Sequence, residues 1–182
     1  MSVYAIGERC SLYVRDHGEV EVAPYTRMIM GQDTTRFMLT GSYPMRWIDT
    51  KAVWDKERAA GDILFSIYEN NHGFIGICGL HGLRDIYHSA ELRILIFDKK
   101  FVGNGYGSEA VDLLLDYGFN RLNLHRIWLG VNADNEGAVK CYLKCGFKEE
   151  GRLREDIFYH GKYADVIRMG ILRNDWGVHV EA

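Results

Sequence analysis

The most regular alternation of hydrophobic and polar positions lies in the second half of the chain. Residues 63–68 (ILFSIY) and 74–80 (FIGICGL) are β-forming runs separated by Asn70-Asn71-His72-Gly73, which predicts a hairpin. A third run, residues 89–97 (SAELRILIF), extends it into an antiparallel meander. Beyond Gly107, the apolar positions Val111, Leu114, Leu115, Gly118, Phe119 and Leu122 recur at helical spacing. Residues 127–131 (IWLGV) are uniformly apolar, as a central strand is. Asp134 or Asn135 is placed to cap a helix running to about Cys145, with Gly146 as its terminator. Residues 147–159 and 162–172, joined through His160-Gly161, predict a closing hairpin.

The first third carries a weaker pattern. Residues 10–15 (CSLYVR) predict an opening strand, and residues 18–30 and 45–60 predict helices around the loop Gly41-Ser42-Tyr43-Pro44. Trp47, Val53, Trp54 and Ala60 are the candidates for the apolar face of the second helix. The order is strand, two helices, three strands, helix, strand, helix, two strands. It predicts an α+β fold, a mixed, mostly antiparallel central sheet flanked by helices.

Composition narrows the function classes. A chain of 182 residues is expected to form one domain, residues 1–182, and to bury about 70% of its unfolded surface. Its 22 basic and 25 acidic residues leave a net charge of −3, so no bulk positive field would recruit nucleic acid or an anionic membrane. No stretch approaches the ~20 consecutive apolar residues of a membrane helix. The opening MSVYAIGERC lacks a basic start followed by an apolar block, so a cytoplasmic location is expected. Cys10, Cys78, Cys141 and Cys145 form no Cys-x-x-Cys pair, and neither a metal site nor a disulfide framework is expected. The histidines form no triad-like motif and read as surface or core residues. The exposed edge of the terminal hairpin is suited to pairing between subunits, so a homodimer is an expectation.

The chemistry concentrates where residues 89–97 run into Gly103, Gly105 and Gly107 and then a helix. Glycines admit positive φ and let a ligand approach the backbone, and the amides of the first helical turn stay unpaired at the positive end of the helix dipole. That combination cradles a pyrophosphate without a basic side chain. A P-loop would need Gly-Lys-Ser/Thr, whereas Gly105 is followed by Tyr106-Gly107. A dinucleotide fingerprint would place its third glycine one residue later and follow a parallel strand. Taken alone, the loop fits a plain structural turn as well as a ligand site.

A second segment adds to this. Residues 135–147 (NEGAVKCYLKCGF) put Asn135, Ala138 and Tyr142 on one helical face with Gly146-Phe147 as the exit. Here the sequence resembles the GNAT superfamily of acyl-CoA-dependent N-acyltransferases, whose loop reads R/Q-x-x-G-x-G/A and whose later helix reads N-x-x-A-x-x-x-Y-x-x-x-G-F. Lys100 stands where the family usually has Arg or Gln. The resemblance runs over residues 62–172, and it is strongest toward the branch of ribosomal-protein N-terminal acetyltransferases and spermidine N-acetyltransferase. It implies a GNAT fold, with residues 1–61 on the acceptor side and residues 62–182 as the acetyl-CoA-binding core with the C-terminal hairpin. It further implies acetyl-CoA as cosubstrate, no metal, and direct acetyl transfer to a primary amine: a protein N-terminus, an amino sugar or another small amine.

By the same resemblance, Ile94, Leu95 and Ile96 would hold pantetheine through main-chain groups. Val102, Gly103, Asn104, Gly105, Tyr106, Gly107 and Ser108 would take the pyrophosphate, and Asn135 would meet pantetheine or orient the tyrosine helix. Tyr142 would be the general acid and Glu91 the general base. Each has a plainer alternative: an ordinary buried strand, an N-cap for Asn135, a core aromatic for Tyr142, a surface carboxylate for Glu91. Phe37, Tyr43, Trp47 and Trp54 are candidates for the acceptor pocket or for core packing. A polyamine acceptor is the alternative within enzymes, although residues 35–44 carry no carboxylate where polyamine enzymes carry acids. An acyl-CoA sensor without turnover and a nucleotide-binding regulatory module are the alternatives from other classes.

Overall fold

A computed structural model of the chain describes residues 3–15, 18–29, 47–97, 99–159 and 161–177. Its strands are β1 (Val3–Ile6), β2 (Cys10–Val14), β3 (Ile63–Glu69), β4 (Gly73–Arg84), β5 (Ser89–Ile96), β6 (Arg126–Asn132), β7 (Lys148–Tyr159) and β8 (Lys162–Leu172). The helices are α1 (Glu19–Ile29), α2 (Trp47–Ala59), α3 (Tyr106–Asp116) and α4 (Glu136–Lys144). All eight strands join one sheet in the order β1-β2-β3-β4-β5-β6-β8-β7. Every pairing is antiparallel except β5 with β6, so the mixed, mostly antiparallel sheet predicted from the sequence is present.

Strand alternation gives the sheet two different faces. Ala90 and Leu92 of β5 and Ile127, Leu129 and Val131 of β6 point into the larger core, where Val111, Leu114 and Leu115 of α3 meet them. On the other face, Val22 and Tyr25 of α1, Trp54 of α2 and Phe97 form a smaller cluster, against which Leu95 of β5 packs. α3 and α4 therefore lie on one side of β5, and α1 and α2 on the other.

Three features depart from the sequence reading. β1 is an additional strand, antiparallel to β2, in a four-residue segment too short to show a period. The helix after the glycine loop leaves α-geometry at Asp116 and continues as a π-turn over Tyr117–Arg121, with Leu122 N donating to Tyr117 O at 3.1 Å. That turn holds Gly118 against Ile127 and delivers Phe119 to the core. On α2 only Trp54 of the described candidates is core, at 2% exposed. Val53 is 46% exposed and Ala60 lies in the exposed turn beyond the helix, because α2 buries a narrow stripe.

Phe119→Ala should lower stability by about 3–5 kcal/mol, read as a reduced urea midpoint. Ile86→Ala, at a position 89% exposed, should change it by less than about 0.5 kcal/mol.

Candidate active site

The site begins where two strands part. β5 and β6 pair only through Ser89–Arg126, Ala90–Ile127 and Glu91–Trp128. Beyond that point β5 stays with β4 as far as Ile96, and β6 stays with β8 as far as Asn132. A wedge therefore opens inside the sheet, bordered on the β5 side by half-buried Ile94, Leu95 and Ile96. Among the described residues, their main-chain groups along this inner edge have no neighbouring strand to pair with, which makes the edge a template for an extended ligand.

The glycine loop follows β5. A 3-10 turn at Lys99–Phe101 leads to Gly103 and Gly105, whose φ values of 79° and 89° are left-handed. Gly105 caps α3 without a side-chain hydrogen bond, so the first-turn amides of Tyr106, Gly107 and Ser108 face outward at the positive helix end. Asn104 Nδ2 donates to Lys100 O at 2.7 Å and closes the loop, with Val102 exposed. Lys100 Nζ sits 4.7 Å from the Phe101 ring centroid. A further partner comes from the turn between β1 and β2. Arg9 N donates to the Glu109 carboxylate at 3.0 and 3.2 Å, and Arg9 Nε lies 3.5 Å from where a β-carbon on Gly105 would stand. Side-chain-free backbone, unpaired amides and a guanidinium fit a diphosphate. Arg9 carries no sequence signal, because only the fold brings it to α3.

α4 packs beside this cradle. Ser108 Oγ and Cys141 Sγ are 3.2 Å apart, and Cys145 Sγ lies 3.7 Å from Ser108 O. Asn135 is the N-cap, its Oδ1 accepting from Ala138 N at 3.2 Å, which leaves its amide nitrogen for other contacts. Tyr142, next to Cys141, is half-buried, with its ring 5.8 Å from that of Phe147. Burial, reinforced by Cys141 and Cys145, pushes its phenol well above the ordinary tyrosine value, so it stays protonated at neutral pH.

Glu91 comes from the opposite side. It alternates with Arg93 and Leu95 on the face that α1 and α2 cover, at the last paired step before the strands separate. Arg93 Nη2 donates to Glu91 Oε2 at 2.8 Å. Across β4 stands His81, its Nδ1 2.9 Å from Asp62 Oδ2 and 3.9 Å from Glu57 Oε1. Burial, then the Arg93 charge, holds this imidazole below its ordinary value against the pull of Glu57 and Asp62. The scattered histidines gave no hint of this cluster, since its carboxylates come from α2 and the loop before β3. Glu91 and Tyr142 thus lie on opposite faces of the sheet, Glu91 at the last paired step of β5 and Tyr142 against the larger core. Among the acceptor-pocket candidates, Trp54 is a core residue, while Phe37, Tyr43 and the Trp47 side chain lie outside the described residues, as do residues 35–44.

The neighbouring thiols make a test of this geometry. Hydrogen bonding to Cys145 and Ser108 outweighs burial and lowers Cys141 to about 6, while burial pushes Cys10 and Cys78 up to about 12. Cys141 should therefore be alkylated first by iodoacetamide, at a rate that rises through about pH 6 and levels off above about pH 7. Mass spectrometry of the folded protein checks this, and Ser108→Ala should move the rise to higher pH.

Residues 12–148 match the family described as the acetyltransferase (GNAT) domain. Spermidine N(1)-acetyltransferase of Vibrio cholerae is 39% identical over 112 residues, covering 62% of this chain and 64% of that protein. The Escherichia coli protein of the same name is 36% identical over 101 residues, covering 56% of this chain and 54% of its own length. In these matches the chain spans less than two thirds of the length of its curated relatives. A crystal structure of spermidine N-acetyltransferase from Vibrio cholerae with CoA and spermine aligns with a TM-score of 0.83 at 28% identity, covering 93% of this chain and 98% of that one. With a family match across most of its length and the parted sheet, glycine loop and capped α4 in place, the chain belongs to the GNAT acetyltransferase family.

Proposed function

We propose that the chain is an acetyl-CoA-dependent N-acetyltransferase that acts on a primary amine. The observation that carries this reading is the wedge between β5 and β6. A cradle for an anion adjoins it, a protonated phenol flanks one face and a carboxylate flanks the other. Acetyl-CoA, when bound, supplies the acetyl group as an activated thioester.

The remaining chemistry belongs to the side chains. The amides of Tyr106, Gly107 and Ser108 bind the diphosphate, together with the loop from Val102 to Gly105, and the Arg9 guanidinium, itself ion-paired with Glu109 and Glu8, lies beside them. The inner edge at Ile94, Leu95 and Ile96 aligns the pantetheine arm, and Asn135 fixes the start of the tyrosine helix. An alkyl ammonium has a pKa near 10 and must lose a proton before it attacks. Glu91 accepts that proton at its carboxylate, directly or through a water, and Arg93 holds the carboxylate in place. Tyr142 Oη donates a proton to the departing sulfur, a role its raised pKa suits because the proton is present throughout the neutral range. The amine approaches from the side of α1 and α2, on which Glu91 lies.

A spermidine-type polyamine acceptor is the second reading, favoured by the names of the relatives at 39% and 36% identity. Thiol release from acetyl-CoA, measured with a panel of amines, tests both readings. Release no faster than background hydrolysis with every amine would count against the first.

Tyr142→Phe should reduce kcat by about 10²-fold or more with the affinity for CoA nearly unchanged. Glu91→Gln should reduce kcat/KM by about 10²–10⁴-fold and remove the acidic limb of the pH–rate profile. A Glu91→Gln profile that keeps that limb would take Glu91 out of the mechanism.

A further inference from the structure

Beside Glu91, on the same face of the sheet, lies an open cavity of about 480 Å³ lined by Arg84, Ser89, Arg126, Trp128 and Arg168. Its position follows from register. Ser89 and Glu91 are two residues apart on β5, roughly 7 Å along the strand, and they pair with Arg126 and Trp128 of β6. The cavity therefore continues the amine's approach path beyond the acetyl-transfer point, away from the glycine loop.

Its charge is unusual for a chain with a net charge of −3. Arg126 is spent in a two-point ion pair with Glu150, which lies over Gly170, where a β-carbon would collide with the Glu150 carboxylate. Arg168 stacks its guanidinium 4.1 Å from the Trp128 ring centroid. Among the described residues, neither Arg84 nor Arg168 has an ion-pair partner within 4 Å. Glu150, engaged by Arg126, also feels the Arg168 charge, so three guanidiniums face one carboxylate and the cavity carries an excess of positive charge. Glu91 does not offset it, because Arg93 already engages it. Arg84 and Arg168 reach the cavity from β4 and β8, the strands on either side of β5 and β6. Forked guanidiniums, one of them stacked on an aromatic ring, recognise carboxylate or phosphate groups and repel a second ammonium.

We infer that Arg84 and Arg168 bind an anionic group on the acceptor, which makes the preferred substrate an amine carrying a carboxylate or phosphate about 7–10 Å from its nitrogen rather than a polyamine. This inference rests on the acetyltransferase reading and names the substrate class for that same site. Arg84 and Arg168 are specificity residues in it.

A length-matched series tests it: 6-aminohexanoate, 5-aminopentyl phosphate, the uncharged 6-aminohexanamide and 1,6-diaminohexane, each assayed for thiol release with acetyl-CoA. At least one anionic amine should exceed the amide in kcat/KM by 10-fold or more, with the diamine slowest. Whichever of the two is preferred distinguishes a carboxylate from a phosphate site. Arg84→Gln and Arg168→Gln should each reduce that anion-to-amide ratio by several-fold, and the double variant should bring it close to one. Arg84 is exposed, so its variant keeps the test independent of folding. Equal rates for anionic and neutral amines, or a preference for the diamine, overturn the inference and leave acetyl transfer standing. If no amine releases thiol, the acetyltransferase reading fails, and calorimetric titration with 6-acetamidohexanoate decides the pocket by itself. Binding that weakens 10-fold or more in the double variant supports the anion site, and an absence of binding overturns it.

Discussion

A β-sheet satisfies its backbone by pairing every interior strand on both edges, and this molecule breaks that rule at its centre. β5 is committed to β4 on one side and β6 to β8 on the other, so closing the gap between them would require giving up register elsewhere. Buried peptide groups without partners cost about 1–3 kcal/mol each, which makes the inner edges the part of the sheet with most to gain from an extended guest. The three-residue parallel pairing at its apex fixes the depth of the wedge and sets Glu91 and Trp128 side by side at its floor.

The two faces of the sheet then divide the work by chemistry. On the α3 and α4 side the surface suited to an anion is mainly backbone, with left-handed glycines and a helix start without a side-chain cap in place of a row of cations. On the α1 and α2 side the groups are charged and held by one another. Arg15, buried against the sheet, donates to Cys78 O at 3.1 Å, lies 3.7 Å from Glu57 and stacks 4.8 Å from Trp54. Glu57 in turn reaches His81, and His81 stands across from Glu91. A buried cation such as Arg15 is tolerable only when paired in this way, so the packing of α2 and the electrostatics beneath the candidate base form one unit.

Much of this was legible in the sequence where the signal was local. The meander, the glycine loop, the Asn135 cap and the closing hairpin each rest on residues close together in the chain, and each appears where the pattern puts it. What escaped detection depends on contacts between distant segments. Arg9 becomes relevant only when a turn at one edge of the sheet lands on α3, and His81 only when Asp62 and Glu57 converge on β4. The arginines around Trp128 come from three strands, so no window of sequence contains them. Val53, expected on the apolar face of α2, is exposed for a related reason. A helical apolar stripe gives its own width only once the surface it meets is known.

The Glu109 carboxylate, which grips the backbone nitrogen of Arg9, ties the outermost hairpin of the sheet to the helix that opens the anion cradle. Strands at a sheet margin are the ones most readily peeled away by a protease nick, a bulky amino-terminal fusion or strand exchange with a second molecule. In this architecture such an event would not stay at the margin. It would release the anchor of α3 from a point far away along the chain, so the integrity of residues 3–10 is a condition for holding the start of that helix, and the glycine loop before it, in place.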